Sequence, residues 1–356
     1  MSNEVNPSET SKIRISVILT DFVDHRFAPQ AIQSVLSQTI PSELVELIVI
    51  TDGRKTHQEC EGQWKSIAHR TFKTSLTPLG QSYAVGVLKS SGDIVTFLDN
   101  DDVWSPNRLE RVLTVFDAES RTTFFKNSVS PIFSTSDGYL RKQMAFNLGL
   151  GISPLRGAMD FVVRNRNDIR VVSALAPMHN TSSMAFRRAM LLPYLPEISR
   201  VPAFIDPFLF FISMIAPGEL HFTRDKLTGY RVRTDSASAR QSQPTTRGGS
   251  NLSASHFLEG YRRNLEAIDS LLRGRPDQVL RDIRNIVAKS TECFIHFRSG
   301  EIPVSTIVED LPESLRLSLH YRTRSLTVAL TIIALEGLFG RHVLKLAREV
   351  LDLVTT

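Results

Sequence analysis

The chain has 356 residues, of which 42% are hydrophobic and 22% charged, and its formal net charge is +5. This is the profile of a globular protein, one large domain with an appendage or two domains; it excludes a collagenous or fully disordered chain. Two cysteines, Cys60 and Cys293, exclude a disulfide framework and a four-thiolate zinc site, and point to a reducing compartment.

Residues 1–11 are polar and read as a flexible N-terminus without a secretory h-region. No charge-free apolar run is long enough to span a bilayer. Ile13 to Leu19 is a β-branched apolar run, the mark of a strand buried on both faces. Ala28 to Ile40 has helical spacing, with Pro29 suited to the first turn and Pro41 as a stop. Leu44 to Ile50 is a second buried strand, ending in Thr51-Asp52-Gly53. Glu59 to His69 reads as a helix and Thr71 to Leu76 as a third strand. Gly80 to Ser91 reads as a helix, Asp93 to Leu98 as a fourth strand, and Pro106 opens a further helix through Phe116.

This alternation predicts an α/β fold with a mostly parallel sheet flanked by helices. Ligands of such sheets bind at the carboxyl ends of the strands. Acid-bearing clusters fall there: Thr20-Asp21, Thr51-Asp52 and Asp99-Asn100-Asp101-Asp102. One aspartate before Pro106 could cap a helix. Three within four residues repel one another and suit a divalent cation that also takes phosphate oxygens.

Beyond about residue 130 the pattern is less regular. Ser182 to Phe186 reads as a strand, followed by Arg187-Arg188 and a helix. Phe204 to Ile215 is a very apolar helix interrupted by Asp206-Pro207. A lone carboxylate among such neighbours should have a raised pKa, which suits a general base; a helix cap is the plainer alternative. The basic excess is local: Arg224, Lys226, Arg231, Arg233, Arg240 and Arg247 face only Asp225 and Asp235 in residues 221–250. No broad basic face with interleaved aromatics occurs, so no nucleic-acid partner is expected. Residues 234–255 read as a flexible loop, and helical spacing resumes from His256. The apolar stripe Leu326 to Phe339, with Arg322, Arg324 and Arg341 beside it, suits a core or homo-oligomer helix, or else a peripheral membrane contact.

The blocks ISVILTDF, AIQSVLSQTI, ELIVITDGR and GVLKSSGDIVTFLDNDDVWSPNRLE together resemble the family 2 glycosyltransferases, closely over residues 13–118 and more loosely over 177–240. The resemblance implies a GT-A fold and inverting transfer from a nucleotide-diphospho-sugar, UDP- or dTDP-linked, to a hydroxyl on a glycan or lipid-linked acceptor. It places Thr20 and Asp21 at the nucleoside, Asp52 at the base and Asp99 near the ribose. Asp101 becomes the principal metal ligand, with Asp99 and Asp101 holding Mn²⁺ or Mg²⁺ in an Asp-x-Asp motif. Asp206 becomes the catalytic base, and Arg231 and Arg233 stand where diphosphate-binding residues are common. The implied layout is a GT-A domain over 12–250, divided into a nucleotide-sugar half (12–118) and an acceptor half with its loop (119–250), then a helical region over 251–356. A cytoplasmic enzyme is expected, with contact at the inner face of the membrane as an open alternative. A non-catalytic sugar-nucleotide-binding protein of the same fold, or a nucleotidyltransferase, are the competing readings.

Overall fold

The computed structural model describes residues 13–22, 25–53, 67–75, 78–133, 160–165, 180–232, 252–285 and 287–288. Its centre is a sheet that begins with β1 (Ile15–Asp21), β2 (Val45–Thr51), β3 (Ala68–Lys73) and β4 (Ile94–Asp99). It continues with β5 (Val103–Trp104), β6 (Thr122–Phe133), β7 (Phe161–Val163), β8 (Met184–Arg187) and β9 (Glu219–Val232). The strands run in the order β3-β2-β1-β4-β8-β6-β9-β5, and β7 pairs with β9. The first half is parallel: β1 lies between β2 and β4, and β2 pairs with β3. In the second half β8 runs antiparallel to β4 and β6, while β6 and β9 pair in parallel.

Every residue of β1 and β2 is buried, so apolar side chains serve both faces. Because neighbours on a strand point to opposite sides, Val17 and Leu19 join one core and Ile18 the other. Helices α1 (Ala28–Leu36) and α3 (Arg108–Ala118) cover the first face with Ile32, Val35, Leu109, Val112 and Phe116. The opposite face carries α2 (Leu79–Lys89), the short α4 (Arg188–Leu191) and α5 (Leu195–Ser199), and the apolar α6 (Ile205–Ile215). Helix α7 (Leu252–Leu272) adds Tyr261, Leu265 and Ile268 to that same core. Beyond it, residues 278–285 and 287–288 are also helical.

The approach to α6 is set by contacts with α2. The backbone N–H groups of Leu79 and Gly80, unpaired within α2, donate to the carbonyls of Pro202 and Val201. Gly80 approaches α5 so closely that a Cβ there would meet the Ile198 carbonyl oxygen at 1.8 Å. The segment leading into α6 is thereby fixed against α2.

Several sequence-based expectations need correction. Residues 67–69 were expected to close a helix, but β3 begins at Ala68. It is an exposed edge strand whose polar residues His69, Arg70 and Lys73 hide its period; residues 54–66 lie outside the described residues. The twelve-residue β6 and fourteen-residue β9 fall where no strand was expected. Their pairing carries register shifts at Thr122/Phe124, Asn127/Ser128 and Ser128/Val129, and each shift breaks the alternation a sequence would show. Helix α6 is not interrupted: Asp206-Pro207 occupies its first turn, where proline loses nothing because the N–H has no partner.

Candidate active site

The parallel neighbours β2, β1 and β4 end side by side. Thr20 pairs in register with Asp99, and Asp21 with Thr51, so the three acid-bearing ends form one rim. Thr20 Oγ1 donates to Asp99 Oδ1 at 3.0 Å. Asp21 is fully buried and receives the Asn100 side-chain amide at 2.8 Å. His25 Nδ1 also meets Asp21 at 2.8 Å, and its Nε2 lies 3.8 Å from Asp52, which tops β2. Sequence reasoning missed this imidazole, which connects the two acids.

Asp99 is ringed by hydroxyl donors, with Tyr83 at 3.3 Å and Thr181 at 3.5 Å besides Thr20. Burial pushes its carboxyl up to about 6, and the negative charge of Asp206 pushes the same way. The two carboxyls therefore repel one another. Asp101 is half-buried, and its carbonyl accepts from Arg231 Nε at 2.8 Å. Asp102 is buried and does not cap α3, whose N-cap is Asn107. It accepts instead the Arg231 backbone N–H at 3.0 Å and the Asn180 amide at 2.8 Å. Burial raises the Asp102 carboxyl well above the usual range, helped by Asp101 and Asp99.

The Arg231 guanidinium stacks 4.3 Å above the Phe27 ring and donates to Gln30 at 2.7 Å. It thus clamps the acidic loop onto the start of α1. Arg233, expected next to it, lies outside the described residues, as does the 234–250 loop. In β5, just after Asp102, Trp104 donates to the Ser182 carbonyl at 2.7 Å and carries the buried Arg108 guanidinium 4.0 Å over its ring.

Asp206 comes from the opposite side, in the first turn of α6. Its Oδ2 accepts the Asn180 backbone N–H at 2.7 Å. Burial raises its pKa, opposed by the Asn180 and own-backbone hydrogen bonds and by Lys126. The two non-glycine residues with positive φ among the described residues both flank this carboxylate: Asn180 at 73° and Phe204 at 51°. Such conformations cost energy and persist only when surroundings hold them. Here Asn264 holds the Phe204 carbonyl at 2.6 Å, and Asp102 holds the Asn180 side chain.

Among the described residues, no group of three or more His, Cys, Asp or Glu could hold a metal ion by itself. A cation completed by phosphate oxygens needs only one or two carboxylates, and Asp99 with Asp101 fits that demand. Asp99 is raised first by burial and then by the Asp206 charge, and a nearby cation would oppose both.

Residues 16–191 match the family model described as glycosyl transferase family 2. An uncharacterized glycosyltransferase of Nostoc sp. is 31% identical over 109 residues, which is 29% of this chain and 33% of its own length. One from Rickettsia felis is 27% identical over 103 residues, 28% of this chain and 17% of its own. The chain thus matches a third or less of the length of these curated relatives. Among solved structures, S. aureus TarS 1-349 in complex with UDP aligns over 92% of both chains, with TM-score 0.57 and 14% identity. Its complex with UDP-GlcNAc aligns over 91% of both, with TM-score 0.57 and 13% identity. At that identity the likeness is one of fold, the GT-A α/β arrangement.

Proposed function

Since this chain belongs, through residues 16–191, to glycosyl transferase family 2, we propose that it transfers a sugar from a nucleotide-diphospho-sugar to an acceptor hydroxyl with inversion. One observation carries the reading: three adjacent strand ends present Thr20, Asp21, Asp52, Asp99 and Asp101 on one rim, and Asp206 of α6 is linked to the neighbouring Asp102 through Asn180. The rim suits a polar nucleoside diphosphate, and the buried carboxyl suits the proton of the incoming hydroxyl.

In this reading Thr20 and Asp21 border the nucleoside, and Asp52 accepts from the base. The segment around Asp52 resembles that of uridine-using family members, and on that resemblance the donor is UDP- or dTDP-linked. Asp99 lies at the ribose and, with Asp101, would hold a divalent cation, which when bound draws charge from the departing diphosphate. Arg231, tied to the Asp101 carbonyl, keeps that loop in place and brings a guanidinium to the phosphate side. Asp206 takes the acceptor proton as the hydroxyl attacks the anomeric carbon from the face opposite the leaving group. Burial raises its basicity for that step. The acceptor is a glycan or lipid-linked hydroxyl. No described helix is long and apolar enough to cross a membrane. A cytoplasmic site of action fits a chain with two cysteines.

Calorimetric titration with UDP and UDP-GlcNAc, with and without Mn²⁺, tests this reading. Metal-dependent, saturable binding supports it. Failure of UDP, dTDP and GDP alike to bind refutes it.

A further inference from the structure

A buried lysine lies beside the proposed base. Lys126 sits mid-way along β6, 5% exposed, in register with Met184 of β8 and Phe222 of β9. Its neighbours Phe124 and Phe125 are core residues, so an apolar side chain would be the cheap choice at this position. The ammonium instead donates to Ser183 Oγ and, at 3.4 Å, to the Asn180 carbonyl. Ser183 Oγ donates to that same carbonyl at 2.7 Å.

Asn180 is where these bonds converge. Its carbonyl is held by Lys126 and Ser183, its side-chain amide by Asp102, and its backbone N–H points at Asp206 Oδ2 at 2.7 Å. With φ at 73° it would not stay in this conformation unaided. The bonds on its carbonyl and side chain fix the direction of the N–H.

We propose that Lys126 is a positioning residue for the general base: by holding Asn180 in its left-handed conformation, and by placing a cation behind Asp206, it aims and ionises that carboxylate. The inference rests on the reading of Asp206 as the base.

The charges around the pair set the sign. Lys126 faces Asp206 and Asp102, and the Arg108 guanidinium opposes its charge. Asp206 interacts electrostatically with Lys126 and also with Asp99 and the Tyr83 hydroxyl. Burial lowers the lysine to about 7 and raises Asp206, and each charge partly restores the other. Removing the lysine leaves burial and Asp99 opposed only by the two backbone hydrogen bonds, so Asp206 must titrate at higher pH.

The test is Lys126→Met, which keeps length and apolar packing. Asp206 is followed by carboxyl ¹³C NMR titration, UDP binding by calorimetry with Mn²⁺, and turnover as UDP released from UDP-GlcNAc. The expected result is an upward move of the Asp206 titration, turnover down by about tenfold or more, and UDP affinity within twofold of wild type. The acid limb of the turnover profile should move to higher pH, and Lys126→Arg should recover part of the rate. Ser183→Ala, which keeps the lysine but removes its hydroxyl partner, should give a smaller change in the same direction; it decides the matter if the methionine variant does not fold.

An unchanged Asp206 titration in Lys126→Met, or in Ser183→Ala if only that variant folds, overturns the inference. So does UDP affinity that falls in step with turnover, which marks a donor contact or a general structural role. Asp206→Asn separates the two levels. If it turns over normally, the base reading itself is wrong. If it is inactive while Lys126→Met behaves as wild type, only this inference fails.

Discussion

Replacing Asp206 by asparagine separates chemistry from architecture. The carboxylate accepts the Asn180 N–H at 2.7 Å and its own backbone N–H, and lies in the first turn of α6. The asparagine carbonyl can accept the same N–H, so the bond is kept. Losing the charge removes a burial penalty and also the attraction to Lys126, two effects of opposite sign. Stability should change by less than about 1 kcal/mol. Turnover is different, because an amide oxygen cannot take a proton from a hydroxyl at neutral pH. Loss of a positioned base costs about 10²–10⁴-fold in rate, or about 3–5 kcal/mol of barrier. The assay is UDP release from UDP-GlcNAc in the presence of candidate acceptors, beside a melting curve and UDP calorimetry. Near-normal melting and UDP affinity with turnover lost is the expected pattern. Wild-type turnover would refute the role of Asp206, and unfolding would show the residue to be structural.

Four further outcomes are expected. Asp101→Asn should abolish turnover without changing the fold by circular dichroism, and excess EDTA should do the same to the wild type; full activity in EDTA contradicts the metal assignment. UDP or dTDP should bind more tightly than GDP, and Asp52→Ala should narrow that gap; tight GDP binding with none for UDP or dTDP would reverse the base assignment. Gly80→Ala should destabilise the protein by about 1–3 kcal/mol, measured by urea unfolding, because its methyl meets the Ile198 carbonyl; an unchanged midpoint would show that α2 and α5 can separate. The last concerns pH. Burial holds folded Lys126 at about 7, against 10.5 ordinarily, so between these values the unfolded chain binds the extra proton. Stability therefore gains from this group as pH rises through that window, and Lys126→Met should flatten the slope.

The strands β1, β2 and β4 were readable because parallel strands covered on both faces are near-continuous apolar runs. Their carboxyl ends were readable for the same reason: three predicted parallel neighbours bring Asp21, Asp52 and Asp99 together. Strand β3 was read from Thr71 but begins at Ala68, because its edge position leaves solvent-facing His69 and Arg70 that follow no apolar period. Strands β6 and β9 were lost to bulges and to buried polar residues such as Lys126, Asn127 and Thr228, which interrupt hydrophobic alternation. With β6 unseen, Lys126 had no face to be placed on. Tyr83 and Asn180 were missed for a related reason. Tyr83 meets Thr181 across 98 positions, and Asn180 meets Asp102 across 78. Contacts of that separation follow from the packing of the second half onto the first, which no local pattern specifies. Asp206 was legible as a lone acid in an apolar helix, whereas the Asn180 N–H that orients it was not.

The central claim is that the β1-β2-β4 rim binds a nucleotide-diphospho-sugar through a metal-assisted carboxylate pair. Calorimetric titration of UDP-GlcNAc and UDP into the wild type and Asp101→Asn, each with and without Mn²⁺, tests it most directly. The account predicts saturable one-to-one binding by the wild type with Mn²⁺, much weaker binding without it, and none by Asp101→Asn despite unchanged melting. Equal binding by the two proteins, indifferent to Mn²⁺, would contradict it.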